Sequence, residues 1–326
     1  MKYFITGATG FVGGRVARQL VEAGHQVNAI ARTPEKASDL AELGISIYKG
    51  DVTEKETMRD AMQGVDGVFH IAGWYKIGVR DKSPGYKINV LGTRNVLELM
   101  QELEVPKGVY TSSLAVNSDT EGKVVDEDYR FEGQHLTVYD ETKAEAHDIA
   151  DEFIDQGLPL VIVQPGLIYG PGDTSTVRTT LIQFLTGKLP LLPKETAYAW
   201  AHVDDVARGH ILAMEKGTPG ENYFICGPVY TIVEALEIAS DLTNIPLPKL
   251  RAAPGMLKAM AAFMGLVEKI IPLPEAYTYE GLRTTAGVTY IGDNSKAKEE
   301  LGFNPRPLRE GLKETLEHEL ALLQEE

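Results

Sequence analysis

The apolar run Tyr3-Phe-Ile5 leads directly into Thr6-Gly7-Ala-Thr-Gly10-Phe-Val-Gly13, and an amphipathic helical pattern follows from Gly13 to Ala23. A strand that turns through glycines into a helix lying back on it is the first half of a βαβ unit, and such units are joined right-handedly in a parallel sheet. The alternation continues. Short β-rich runs at Lys2–Thr6, Gln26–Ala31, Ile45–Lys49, Gly67–Ile71, Gly108–Thr111 and Leu160–Gln164 are separated by helical stretches such as Gly13–Ala23 and Lys87–Leu103. This predicts an α/β fold, a doubly wound parallel sheet with helices on both faces. From about Pro171 the alternation loosens, and prolines cluster at positions 190, 193, 246, 248, 254, 272 and 274. Residues 1–170 are therefore read as the sheet domain and 171–326 as a smaller mixed domain. The chain is expected to cross back to the sheet near Trp200–Val203 and Asn222–Cys226.

Helix starts are legible in several places. Thr33-Pro34 reads as an N-cap with proline at the first helical position, and Thr53-Glu-Lys-Glu56 as a capping box. Asp204 and Asp205 read as caps of a helix from Val206 to about Lys216, and Asn294-Ser295 precedes another at Lys296–Leu301. The stretch Met256–Ile271 is interrupted by Lys258, Glu268 and Lys269, too short and too charged to span a bilayer. It reads as an amphipathic helix that covers a pocket or packs on the core, with a membrane-surface helix as the other reading.

Of the 326 residues 43% are hydrophobic, enough to bury a full core, and acidic residues exceed basic ones by fifteen. A surface this negative repels phosphate backbones, so nucleic acid is an unsuitable partner. Cys226 is the only cysteine, which excludes a disulfide framework and a thiolate metal site, and no metal ligands are assigned. With no signal-peptide pattern before the glycine turn, the expected setting is the cytoplasm, with no membrane partner.

Strand, glycine turn and helix together form the context of a dinucleotide fingerprint. Gly7 permits a tight turn, Gly10 lets backbone approach a pyrophosphate, and Gly13 lets the helix pack on the strand. The helix N-terminus adds unpaired N–H donors and a positive dipole end. The spacing Gly7-x-x-Gly10-x-x-Gly13 resembles the T-G-x-x-G-x-x-G of the extended short-chain dehydrogenase/reductase family. That resemblance implies a Rossmann-type domain plus a C-terminal substrate domain. It also implies that backbone along the turn, including Thr9, Phe11 and Val12, surrounds the cofactor.

At the end of the second strand, where an Asp or Glu would hold the ribose 2′-hydroxyl of NAD, the sequence reads Ala31-Arg32-Thr33, with Lys36 a helical turn on. A guanidinium pairs bidentately with a phosphate, so the cofactor expected is NADP, with NADPH preferred over NADH. Gly50-Asp51-Val52 follows the third strand. By resemblance Asp51 holds the adenine amino group; as a plain residue it caps a helix, and both readings stand. His70-Ile71-Ala72-Gly73 ends the fourth strand, where the resemblance lays small residues against the cofactor; His70 itself reads as a packed strand residue.

Tyr139 and Lys143 lie one helical turn apart. A phenol ordinarily titrates near pH 10, and an adjacent ammonium favours the phenolate, which suits Tyr139 to proton transfer in carbonyl reduction. Lys143 is also assigned to the nicotinamide ribose. Thr111-Ser112-Ser113 ends the fifth strand, on the side that faces the ligand crevice. The resemblance makes Ser113 the first choice as hydroxyl donor to the substrate oxygen and Ser112 the second, with Thr111 beside the cofactor. Asn89-Val-Leu-Gly92-Thr-Arg-Asn95 resembles the family's N-V-x-G-T-x-N helix. Asn89 either orders a water chain to Lys143 or joins helix to strand. Pro165-Gly166-Leu167-Ile168 resembles the segment whose backbone meets the nicotinamide carboxamide.

Three activities fit this pattern. The first is NADPH-dependent reduction of an aldehyde or ketone, as in the dihydroflavonol-reductase-like branch. The second is nucleotide-sugar epimerisation or dehydration with a retained cofactor, for which Arg178 and Arg283 are the candidate diphosphate partners. The third is non-catalytic NADP binding, against which the complete Ser113, Tyr139 and Lys143 set argues. The small-molecule reductase reading is preferred. Trp74 and Tyr75 are expected to wall the substrate side. The methionine-rich segment Met256–Met264 is read as core, or as lining for an apolar substrate. Relatives of this kind often pair through the helices carrying Asn89 and Tyr139, so a homodimer is the implied assembly.

Overall fold

In the computed structural model, which describes residues 1–325, thirteen strands fall into three sheets. The first six are β1 (Lys2–Thr6), β2 (Gln26–Ala31), β3 (Ser46–Lys49), β4 (Gly67–His70), β5 (Gly108–Thr111) and β6 (Leu160–Pro165). The others are β7 (Leu167–Tyr169), β8 (Leu192–Pro193), β9 (Ala197–His202), β10 (Asn222–Ile225), β11 (Val229–Thr231), β12 (Arg251–Ala252) and β13 (Thr289–Tyr290). Seven of them form one wholly parallel sheet in the order β10-β6-β5-β4-β1-β2-β3. The strand order reverses between β1 and β4, and at such a point the carboxyl ends of the strands open a crevice for a ligand.

Alternation along the strands supplies both faces of this sheet. Ile5 and Val163 point to one side, with Val16 and Leu20 of the Phe11–Glu22 helix and Ile211 of the Val203–Lys216 helix. Phe4 and Ile162 point to the other, with Val96 and Met100 of the Gly92–Glu102 helix and Ile149 and Phe153 of the Val138–Asp155 helix. A sheet covered on both faces needs strands apolar throughout, and β6 is buried at all six positions.

The chain returns to this sheet at β10, beside β6, as expected for Asn222–Cys226. It does not return at Trp200. That segment belongs to β9, which pairs antiparallel with β11 and parallel with both β13 and β7, so it organises a second, four-stranded sheet. Backbone contact explains the placement: a Cβ on Gly166 would lie 2.1 Å from the Ala199 carbonyl oxygen, so the turn after β6 can be pressed onto β9 only at a glycine.

Several helix starts differ from the sequence reading. The Val203–Lys216 helix begins three residues early and is capped by His202, whose Nδ1 accepts from the Asp204 N–H at 3.3 Å. Asp205 instead holds Arg306 through both carboxylate oxygens. No capping box forms at Thr53; its hydroxyl donates to Asp51 and cannot turn back onto the Glu56 N–H. The Pro254–Val267 helix buries only Leu257 and Ala261, and Met256, Phe263 and Leu266 stand exposed, contrary to the core reading. Among the described residues no helix is long and apolar enough to cross a membrane.

Candidate active site

The glycine turn has the geometry the spacing predicted. Gly7 has φ +76°, and a Cβ there would lie 2.7 Å from the Ala72 nitrogen. A Cβ on Gly13 would lie 2.1 Å from the Gly7 carbonyl oxygen, so the helix sits against the turn with no room for a side chain. The helix starts at Phe11, two residues ahead of the expected Gly13, and its N-cap Gly10 contributes no side-chain cap. Thr9 and Gly10 are exposed, and Phe11 and Val12 are half-buried. The first turn thus offers N–H groups to an outside acceptor, with a glycine at the point of approach. This cradle fits the diphosphate of a dinucleotide.

Around it stand the other strand ends. Arg32 and Lys36 are exposed after β2, and Arg32 makes no ion pair with any described residue. Asp51 and Val52 follow β3. Asp51 Oδ1 accepts from both the N–H and the hydroxyl of Thr53 at 2.9 Å, and the helix that follows has Glu54, not Asp51, at its N-cap. The Val52 carbonyl accepts from Asn95 Nδ2 at 2.8 Å. Ile71, Ala72 and Gly73 follow β4, with the Thr6 hydroxyl joined to the N–H groups of Ile71 and Ala72 at 3.1 Å. His70 is buried, bridging Thr6 and Thr93 at 2.8 and 3.0 Å, and burial pulls its imidazole down to about 3. It is the packed residue the sequence indicated. Pro165, Gly166, Leu167 and Ile168 form the turn from β6 into β7.

Tyr139 and Lys143 ride on the Val138–Asp155 helix, capped by Thr137, whose hydroxyl accepts from the Asp140 N–H. Lys143 is 5% exposed. Its Nζ donates to the Thr111 carbonyl at 2.7 Å and to the Tyr110 hydroxyl at 3.1 Å, which pins it to the end of β5. Burial pulls its ammonium down to about 7. The Tyr139 phenol is pushed upward, chiefly by burial, while an interaction with the Ser113 hydroxyl pulls the other way. The expected lowering by Lys143 is therefore not found, because Nζ is turned onto β5.

The two serines part company. Ser112 is buried and its hydroxyl meets His147 Nδ1 at 2.8 Å. Ser113 is half-buried, accepts from the Ala115 N–H at 3.1 Å, and faces the Tyr139 phenol with its hydroxyl. The structure thus separates the first-choice serine from the runner-up. Thr111 pairs its hydroxyl with His210 Nε2 at 2.8 Å.

Asn89 lies in a π-helical turn, Tyr86–Leu91, where the helix backbone is locally widened. Its Oδ1 accepts from the Trp74 N–H at 2.7 Å, and its Nδ2 donates to the Trp74 carbonyl and the Thr142 hydroxyl. These bonds join its helix to the segment after β4 and to the helix that carries Tyr139. The rest of that motif works similarly: Gly92 leaves room for Val52, Thr93 reaches His70, and Asn95 reaches the Val52 carbonyl.

Tyr75, expected beside the substrate, packs edge-on against Tyr139, ring centroids 4.8 Å apart. Sequence reasoning missed a second aromatic pair near Tyr139. Tyr198 and Tyr290 stack at 5.8 Å, and the Tyr290 hydroxyl donates to the buried Asp140 at 3.0 Å. Burial pushes the Asp140 carboxyl up to about 7. No local signal joins positions 140, 198 and 290; the pairing of β13 with β9 brings the two tyrosines together. Arg178 is committed elsewhere, its Nε donating to both oxygens of buried Glu319 at 2.9 and 3.0 Å.

The chain matches the model of the NAD dependent epimerase/dehydratase family over residues 3–226. A Synechocystis sp. protein named "Putative dihydroflavonol 4-reductase" is 33% identical over 321 residues, 95% of this chain and 92% of that protein. The crystal structure of gox2253 superposes with a TM-score of 0.85 at 30% identity, covering 98% of both chains. A Bacillus cereus UDP-glucuronic acid 4-epimerase shares the fold, with a TM-score of 0.79 at 20% identity over 99% of this chain and 100% of that one. Family match, sheet order and glycine cradle agree: the chain belongs to the NAD-dependent epimerase/dehydratase family, within the extended short-chain dehydrogenases/reductases, and is an NAD(P)-dependent oxidoreductase.

Proposed function

We propose that this enzyme reduces an aldehyde or ketone with NADPH. The observation that carries the substrate half is Arg178. A nucleotide sugar needs cationic partners for its diphosphate, and this guanidinium is held by a carboxylate that is itself 1% exposed. The walls nearest Tyr139 are instead aromatic: Tyr75, Tyr198 and Tyr290. The cofactor half rests on Arg32, exposed after β2 where no carboxylate stands to receive a ribose 2′-hydroxyl.

The residues present suit each task in the reaction. The first turn of the Phe11–Glu22 helix would hold the diphosphate, and Arg32, with Lys36 nearby, the 2′-phosphate. The strand ends at Ile71–Gly73 and the turn Pro165–Ile168 would flank the remainder. When bound, NADPH supplies the hydride. Ser113 donates a hydrogen bond to the carbonyl oxygen, where negative charge grows. Tyr139 gives that oxygen its proton. Lys143 holds ribose hydroxyls and, once charged, stabilises the phenolate left behind. Asn89 fixes Trp74 and hence the backbone beside the site.

The test is a panel of aldehydes and ketones, then nucleotide sugars, incubated with purified protein while NADPH absorbance and products are followed. Net NADPH loss with a carbonyl compound supports the reading. Conversion of a nucleotide sugar with cofactor retained would replace it with the epimerase or dehydratase reading and make Arg283 the next residue to change.

A further inference from the structure

The Pro254–Val267 helix carries apolar residues on both sides. Its inner side buries Leu257 and Ala261 against Ala252 and Ala286. Its outer side, continued through the following turn, presents Met256, Ala259, Phe263, Leu266 and Ile270, spaced at three and four residues and therefore in line. Phe263 and Leu266 are each 63% exposed and Ile270 is 84% exposed. Scattered exposed apolar residues need no explanation, but a continuous stripe along one helix marks a surface that meets something else.

The charges around the stripe indicate what that is. The protein carries fifteen more acidic than basic residues, yet the segment from 249 to 271 has four basic residues and one acidic. Five exposed cations on this segment and the adjoining loop, Lys76, Arg80, Lys249, Lys258 and Lys269, make no ion pair with any described residue. The nearby carboxylates are mostly engaged within the protein. Glu268 accepts from the Tyr279 N–H, Glu280 holds Lys82 and the Gly78 N–H, and Asp81 accepts from the Ser83 N–H. Asp81 and Glu275 are exposed. A second copy of the chain docking through the same face would bring like charges together, whereas an anionic bilayer complements them.

We propose that this helix is a docking face for an anionic lipid surface, its stripe entering the interface while the flanking lysines and Arg80 meet the headgroups. This replaces the buried-helix reading of the sequence and does not depend on the reaction at Tyr139. The face is tied to the candidate site through one loop: Tyr75 packs on Tyr139, and five residues on Arg80 donates to the Glu268 carbonyl at 3.1 Å.

The experiment is co-sedimentation of the full chain with vesicles of phosphatidylcholine alone and of phosphatidylcholine mixed equally with phosphatidylglycerol. The expected result is binding to the mixed vesicles, reduced about tenfold or more on neutral vesicles or at high salt. Phe263→Glu with Leu266→Glu should lower binding by about tenfold or more while circular dichroism and NADPH affinity stay unchanged. Lys258→Glu with Lys269→Glu, which leaves the stripe intact, should abolish the preference for phosphatidylglycerol. The proposal is overturned if the unmodified protein binds neither vesicle or if both double variants bind as it does. It is equally overturned if light scattering shows that the stripe holds two copies together without vesicle binding.

Discussion

Replacing Lys143 by methionine should make the ligand-free protein more stable while destroying its activity, and by an amount that depends on pH. The amine is 5% exposed, and burial brings its ammonium down to about 7. An ordinary lysine titrates near 10.4, so the unfolded chain holds this proton across an interval in which the folded chain has released it. Stability of the native protein therefore rises with pH from about 7 to about 10 on account of this residue, and the penalty is fully present below 7. The gap corresponds to roughly 5 kcal/mol. Two hydrogen bonds from Nζ, to the Thr111 carbonyl and the Tyr110 hydroxyl, return about 1 kcal/mol each. The net gain for Lys143→Met is about 3 kcal/mol at pH 6, falls to zero near pH 9 and becomes a small loss as the pH approaches 10. For a chain of 326 residues the gain at pH 6 is a rise in Tm of roughly 4 °C. Thermal unfolding of both proteins at pH 6, 7.5 and 9, without nucleotide, measures the difference and cancels the titration of every other group. A difference that does not change with pH, or a variant less stable at pH 6, would refute the reasoning about burial.

Other substitutions separate the remaining roles. Tyr139→Phe should lower kcat by about 10²- to 10⁴-fold with NADPH affinity nearly intact, and full activity would remove its proton-transfer role. Arg32→Ala should weaken NADPH binding by about tenfold or more and leave NADH binding alone, as titration by fluorescence would show. Arg178→Met should cost about 3 kcal/mol in chemical denaturation, because Glu319 is left charged and buried, and Glu319→Leu in the same chain should restore most of it.

The sheet was legible because its strands are apolar throughout and its turn carries glycines that backbone contact enforces. Gly7 and Gly13 would place a Cβ within 2.7 Å and 2.1 Å of backbone atoms, a constraint that leaves a mark in sequence. The smaller sheets left almost none. Strands β8, β12 and β13 have two residues each, too few to show any period. The Pro254–Val267 helix was misplaced because a helix apolar on both sides reads as buried, and only the neighbours reveal which side packs. At the site, the serines, Tyr139 and Lys143 were found by motif. The direction of Lys143 was not, because it depends on the Thr111 carbonyl and Tyr110, 32 and 33 residues away. The Tyr198–Tyr290 pair was likewise hidden by distance along the chain.

The most direct test of the central claim is turnover with NADPH deuterated at the transferred position. The account predicts one deuterium in the alcohol product for each NADPH oxidised, with Tyr139→Phe silent in the same assay. Conversion of a nucleotide sugar with the label still on the cofactor, and no alcohol formed from any carbonyl compound, would contradict it.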